Sequence, residues 1–534
     1  MPHKKNKNKK KQQHHHIPVN TPPQQPEVEE LTEDLKELKL SVKTEDANLP
    51  YTIAMSDIYG RYLVAKRDLK PGEILITERP LAVGPCVSAD PVCLGCYMPV
   101  TLKATQYRCP SCHWPMCGPA CRGYHQLEGH STYECELFKE ENTSKPLIDT
   151  ASPVKIKNLY ELVLIVRILL MKQHSPDLYK RIMLMESHLE MRKLNAELWS
   201  HYESNVVTYL RETWHMGGQF TADEIHTICG ILDVNCFEIG QNFAKARTLY
   251  PSAFLLAHDC CPNTSHTDDP KTYDIILRTS RSVKKGEALT LSYAYTLQGT
   301  LKRRDFMQAG KLFWCCCKRC SDPYELGTDC SAIRCMKCKK GFIRATKPLE
   351  QEADWKCSSC PQILLAPEVS KLLDKINNDL ESIDVHDVPG LENFLKRYND
   401  ILGPHHYLLL SAKYSLCQLY GKIDNYLLPQ LSLEDLQRKQ RYCKEFLEVI
   451  DVLEPGLTRL RGLIMYELHA PIMMLSQYMI MNNLITRKQF NQNIKEVIQL
   501  LKESALILKM EPAGSSEHQM GLAAAEALEK MGVN

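Results

Sequence analysis

Leu256-Ala257-His258-Asp259-Cys260-Cys261-Pro262-Asn263, read with Leu291-Ser292-Tyr293 and with Phe313-Trp314-Cys315-Cys316-Cys317-Lys318-Arg319-Cys320, is the stretch that decides the fold. Alone, the first segment is a loop with a metal ligand in it. Tyr273 to Arg278 and Ala288 to Tyr293 alternate as strands, with Lys284-Lys285-Gly286-Glu287 as the turn between them. The order of the three pieces carries the information: a His-x-Cys turn, a strand ending in Ser-Tyr, then a Phe-x-Cys-x-Cys-x2-Cys tail.

Composition narrows the classes. A chain of 534 residues has room for several domains with a real core. A net charge of +2 with 24% charged residues argues against a wholly nucleic-acid-binding or membrane-surface protein. Cysteine is the outlier at 23 residues, many in C-x2-C pairs, and the lysine-rich start lacks an apolar signal segment. Paired cysteines in such a chain point to zinc rather than disulfides, and to an intracellular setting, cytoplasm or nucleus. The longest apolar run, Leu162 to Met171, is interrupted by Arg167, so no segment is expected to span a bilayer.

Residues 1–50 read as a disordered basic and Pro-rich tail, with Lys4 to Lys11 as a basic run, His14 to His16 as low-complexity sequence, and a short helix over Glu27 to Leu40. Folded sequence begins near Tyr51, with strands between Met55 and Pro80 turning at Tyr59-Gly60-Arg61 and Lys70-Pro71-Gly72. Cys93-x2-Cys96, Cys109-x2-Cys112, Cys117-x3-Cys121 and His130-x4-Cys135 then offer ligands for two closed tetrahedral zinc sites. His125 is an alternative to His130. Few aliphatic residues lie between these ligands, so metal must hold the segment. Cys335-x2-Cys338 and Cys357-x2-Cys360 form a further four-cysteine set with the spacing of a zinc ribbon, Phe342 to Ala345 reading as a strand.

Helical periodicity covers Ile156 to Leu170 and Tyr179 to Trp199, where Met183, Met185 and Met191 read as packing residues. It returns at Val369 to Leu380, Tyr407 to Tyr420, Leu433 to Leu453 and Ile494 to Leu508, broken at Gly421-Lys422 and Pro455-Gly456. Cys229, Cys236, Cys417 and Cys443 sit in apolar patterns as small buried residues.

These motifs together resemble the SET and MYND domain-containing family of protein-lysine N-methyltransferases, arthropod-type members included. The resemblance implies an α+β fold: a split SET domain of small sheets, with the two halves at 51–92 and 225–300. Between them it places a MYND zinc finger at 93–135 and a helical insertion at 136–224. A post-SET segment at 301–325, the zinc ribbon at 330–362 and a tetratricopeptide-like helical domain at 365–534 follow.

It also implies about four zinc ions. Cys93, Cys96, Cys117 and Cys121 share one, Cys109, Cys112, His130 and Cys135 a second, Cys260, Cys315, Cys317 and Cys320 a third, and the ribbon cysteines hold the last. The cofactor implied is S-adenosylmethionine, held by Gly60, Arg61, Asn235, Leu256, His258, Tyr293 and Phe313. Tyr293 takes the catalytic role, with Phe237 and Lys311 in the substrate channel. Partners implied are histone or non-histone lysines, proline-rich peptides on the MYND module, and chaperone or corepressor proteins. Sequence-specific nucleic-acid binding and membranes are not among them.

Three positions depart from the family pattern. Tyr62 replaces a glycine whose backbone would approach the cofactor, Ala257 replaces an asparagine that would contact its amino-acid end, and Lys311 replaces a second active-site tyrosine. At about 1 to 3 kcal/mol per lost contact, cofactor binding is expected to weaken by about a thousandfold or more. An adapter built on a SET scaffold is therefore the alternative function.

Overall fold

The computed structural model describes residues 48–87, 89–101, 106–127, 129–144, 153–239 and 246–533. The tail with its basic run, its histidines and the expected helix over Glu27 to Leu40 lies outside the described residues.

Short sheets weave distant stretches of the chain together. The hairpin Tyr51–Ser56 and Gly60–Ala65 pairs Ser56 with Gly60 and Tyr51 with Ala65. Gly60, at φ +61°, supplies the left-handed turn that a side chain would resist. Ile275–Thr279 is the centre of a three-stranded antiparallel sheet, with Ile74–Glu78 on one side and Thr264–Asp268 on the other. Its alternation buries Ile275 and Leu277. A second sheet runs Ala82–Pro85, Ala246–Leu249, Phe237–Ile239, and a two-residue parallel ladder joins Ala257–His258 to Thr290–Leu291.

In the cysteine-rich segment from Cys93 to Cys135 the backbones approach closely, and Leu94, Trp114 and Met116 join the buried core shared with the helix Pro153–His174. A Cβ placed on Gly123 would sit 1.8 Å from the Gly95 carbonyl oxygen. Arg122 clamps this module to the SET sheet, donating to the Pro270 carbonyl (2.9 Å) and the Tyr273 hydroxyl (2.8 Å).

The helices that follow do not stop where the sequence suggested. Ala222–Asn235 is a single helix, capped by the Thr221 side chain at the Glu224 N–H, so the boundary expected at 224 falls inside a continuous element. Helix periodicity says where a stripe faces, not where a domain ends. Met185 is buried as expected, but Met191 is 46% exposed because Leu189–Leu194 is a short surface helix.

Seven helices make the C-terminal region: Ala366–Glu381, Val388–Tyr398, Tyr407–Leu419, Leu433–Leu453, Arg459–Met481, Arg487–Leu508 and Ser516–Lys530. Reciprocal caps start two of them, Ser432 with Asp435 and Thr486 with Gln489. Leu410, Phe446, Ile450 and Ile464 fill the space between the helices, each stabilising the packed state by about 1.5–3 kcal/mol. Arg459–Met481, inside the stretch read as helical, gave no separate amphipathic run because it buries residues over more than half its circumference, Gly462, Ile464, Glu467 and Pro471 among them, and so shows no clean stripe. The break at Pro455-Gly456 is the dock onto the SET region. Leu457 N–H donates to the Ser280 carbonyl (2.8 Å), and a Cβ on Gly456, at φ +92°, would collide with that same oxygen. No helix among the described residues is long and apolar enough to cross a membrane.

Candidate active site and metal centres

Among the described residues, four groups of cysteine and histidine could each hold a metal ion, and they are the four sets expected. Tetrahedral thiolates at about 2.3 Å from zinc lie about 3.8 Å apart. Here the Sγ atoms are 3.5 Å apart for Cys93 and Cys121, 3.6 Å for Cys96 and Cys117, and 3.6 Å for Cys109 and Cys135. The other two sets match, at 3.9 Å and 3.5 Å from Cys260 to Cys315 and Cys320, and 3.6 Å and 3.8 Å in the pairs Cys335–Cys360 and Cys338–Cys357. The chemistry of this donor set fits zinc.

His130 rather than His125 completes the second group. His130 Nε2 is 3.2 Å from Cys112 Sγ, and its Nδ1–H donates to Glu134 (2.7 Å), while His125 is exposed. A ligating histidine that donates its other nitrogen to a carboxylate is fixed in tautomer and direction. Glu134 is in turn gripped by Arg167, whose guanidinium also reaches the carbonyls of Val83 and Leu94. Thus an apolar helix carries its one internal arginine, which looked like a mere interruption, to the support of a metal site.

The third group joins the loop at Cys260 to the tail, and buried charge surrounds it. Arg303 donates from Nε to Cys260 Sγ (3.2 Å) and pairs with Glu325 (3.0 Å), which also pairs with Arg319 (2.9 Å). All three are essentially buried. Burial pushes the Glu325 carboxyl up, but the guanidiniums of Arg303 and Arg319 more than offset this and hold it down at about 2. One carboxylate facing two guanidiniums leaves an excess positive charge, and a divalent ion with four thiolates carries the complementary negative charge. Nothing in the sequence marked these residues, since the partners lie 22 and 6 positions apart on separate elements.

From this group a chain of hydrogen bonds leads to Tyr293. The Tyr293 backbone N–H donates to His258 Nδ1 (3.0 Å), which leaves the ring proton on Nε2, 3.3 Å from Cys260 Sγ. The Tyr293 hydroxyl donates to the Leu256 carbonyl. Burial pushes that phenol up, so it stays protonated. The Phe313 ring lies 6.0 Å from His258, and Phe237 meets Tyr250 and His266 edge-on at 5.5 and 5.8 Å. Asn235 is buried, with its amide nitrogen donating to the Glu186 and Ile231 carbonyls, both at 2.8 Å. Arg61 reaches the Leu184 carbonyl (2.7 Å) and lies 3.8 Å from the Glu186 carboxylate.

The three departures from the family pattern behave differently. Lys311 turns inward. Its Nζ donates to the Asp233 and Val234 carbonyls (2.8 and 2.9 Å) and sits 5.7 Å from the Tyr293 ring centre. Burial holds its amine below the usual lysine range. Tyr62 is 3% exposed and packs its ring 5.2 Å from Tyr59, which the sequence marked only as part of a turn. Ala257 is buried in the parallel ladder and offers only a methyl group.

Residues 60–294 match the family model described as SET domain. The chain is 26% identical to SET domain-containing protein SmydA-8, isoform A, of Drosophila melanogaster, over 78% of this chain and 88% of that protein. It is 22% identical to Histone-lysine N-methyltransferase ASHR1 of Arabidopsis thaliana, over 59% of this chain and 64% of the relative. Against Histone-lysine N-methyltransferase SET5 of Candida albicans the identity is 23%, over 53% of this chain and 67% of the relative.

Proposed function

Because the chain is a SET-domain protein related to lysine methyltransferases, we propose that it is an S-adenosylmethionine-dependent protein-lysine N-methyltransferase of the SET-MYND type, akin to arthropod members. The observation that carries this reading is the Tyr293 hydroxyl set on the Leu256 carbonyl and tied through His258 to a cysteine cluster.

The residues present fit the cofactor. A Cβ built on Gly60 would meet nothing within 4 Å, so the backbone there is open to a ligand, and His258 and Phe313 offer ring surfaces. Gly60, Leu256, His258, Tyr293 and Phe313 would hold it, whereas Arg61 and Asn235 spend side-chain donors on the Leu184, Glu186 and Ile231 carbonyls. When bound, it supplies a methyl group on a positively charged sulfur.

This chain's own residues do the rest. Tyr293 Oη and Leu256 O bring two oxygens to one point and orient the reacting groups. The target amine must shed a proton before it can react, and the dry wall of Phe237 and Tyr250 disfavours the ammonium form. Lys311 reports that environment, since its own amine is held below the ordinary range by burial. In this reading zinc fills all four sites, two of them a MYND finger offering a surface to proline-rich peptides and one a zinc ribbon. The C-terminal helices form a tetratricopeptide-like scaffold for protein substrates, histone or not, or for chaperone and corepressor partners, inside the cell.

Lys311 favours a second reading. An amine already seated over Tyr293, together with the silent methyl of Ala257, suits a SET scaffold retained as an adapter. A methyl-transfer assay on the parent and on Tyr293→Phe decides between them. Transfer by the parent that the variant loses supports the enzyme. A zinc-replete parent that transfers nothing to any lysine protein rejects it.

A further inference from the structure

The four-stranded antiparallel sheet beyond the third metal group carries its charge on one face. Its strands run Ile333–Arg334, Phe342–Ala345, Trp355–Cys357, Ile363–Leu364. Ile333 pairs with Ile343, and Ile343 with Cys357, all buried. Alternation therefore turns Arg334, opposite Phe342, and Arg344, opposite Lys356, to the other face. Both guanidiniums lie 5.5 Å from the Phe342 ring centre, and Arg344 also lies 4.5 Å from the ring of Tyr324, which is 50% exposed.

The metal-holding knuckle at the end of this sheet adds Lys337, Lys339 and Lys340. From Arg334 to Lys347 the sequence has basic residues and no acidic one, although the whole chain carries a net charge of only +2. Arg344 pairs with Asp329 (2.6 Å) and Lys347 with Glu350 (3.0 Å). Lys337, Lys339, Lys340 and Lys356 are exposed and have no ion pair among the described residues. Glu350, Glu352 and Asp354 fall in the connection between the second and third strands, at the opposite end from the knuckle. Arg344 and Lys356 stand directly across from each other, a like-charge pairing that costs the sheet stability.

We propose that this face binds the phosphate backbone of single-stranded nucleic acid without sequence preference. The exposed lysines and the terminal nitrogens of Arg334, whose Nε is bonded to the Asn399 carbonyl, match phosphate oxygens, while Arg344 is held by both oxygens of Asp329, and the exposed Tyr324 ring gives a base an aromatic surface beside those cations. An acidic peptide would use the lysines but gain nothing from the ring. The sheet is pinned by its cysteine cluster, so little ordering is needed when a strand lands on it.

The test uses the full zinc-loaded chain and fluorescence anisotropy with a labelled single-stranded oligonucleotide at several salt concentrations. Each phosphate contact contributes about 0.7 to the slope of log affinity against log salt, so K337Q/K339Q/K340Q is expected to lower the slope by about 2 and weaken binding at low salt. Tyr324→Ala is expected to cost about fivefold or more in affinity, the loss of one stacked base. Zinc content equal to the parent's verifies that each variant is folded. The proposal is overturned if the triple variant binds as tightly as the parent, which would place the contact elsewhere, such as the basic tail. It is also overturned if labelled polyglutamate binds as tightly as the oligonucleotide and Tyr324→Ala changes neither, or if duplex binds more tightly than single strand.

Discussion

Two cysteine groups stand next to each other in the chain and are surrounded by opposite physics. Around Cys260, Cys315, Cys317 and Cys320 the protein has buried Arg303, Arg319 and Glu325, and a histidine touches both a sulfur and the backbone of Tyr293. Around Cys335, Cys338, Cys357 and Cys360 the sulfurs, two buried and two half-buried, face backbone N–H groups, Gly341 on Cys338 (3.4 Å) and Ser359 on Cys357 (3.3 Å), with no buried ion pair beside them among the described residues. The same ligand type therefore serves two ends. One group fixes the geometry of a pocket through buried charge, whereas the other pins a small sheet and leaves its neighbours free to carry exposed lysines.

Stripping metal from the whole chain is the largest perturbation of this contrast. With so few aliphatic residues among the first two groups, chelation is expected to unfold the segment from Cys93 to Cys135 and abolish ligand binding, read by circular dichroism and elemental analysis. The sharper version compares Cys315→Ser with Cys357→Ser. Each should lose one of about four zinc ions, but only the first should also lose cofactor binding. Equal losses would show that the two groups are not functionally distinct.

Next in size is Arg303→Met, which takes the buried guanidinium away from the Cys260 sulfur and leaves Glu325 to Arg319 alone. It is expected to cost about 3–5 kcal/mol in denaturant unfolding. Lys311→Tyr removes the amine seated over Tyr293 and is expected to tighten cofactor binding by about tenfold, or 1.4 kcal/mol; no change would mean that Lys311 does not obstruct the site. Lys340→Gln, on the exposed knuckle, should move stability by less than about 0.5 kcal/mol.

What could be read from the sequence follows the same contrast. The cysteine pairs and the Cys335, Cys338, Cys357 and Cys360 set were legible because zinc demands particular atoms at particular spacings, whereas the interleaving of the first two sets and the joining of Cys260 to Cys315, Cys317 and Cys320 came from the family resemblance alone. Leu433–Leu453 was legible because its apolar stripe faces one side. The charge network was not, since Arg303 and Arg319 are ordinary basic residues until burial places them against Glu325. His130 and His125 were both open because spacing admits either, and only Glu134, held by Arg167, separates them. Lys311 was ambiguous for a further reason: a long flexible side chain reaches solvent or pocket equally well, and the carbonyls at the end of Ala222–Asn235 decide its direction.

The link from cysteine cluster through His258 to Tyr293 is tested most directly by calorimetric titration of S-adenosylmethionine into the full, zinc-replete chain. The expected result is saturable heat for one site that disappears in Cys315→Ser while the other three metal sites stay filled. Absence of heat at millimolar cofactor, with all metal in place, would contradict it.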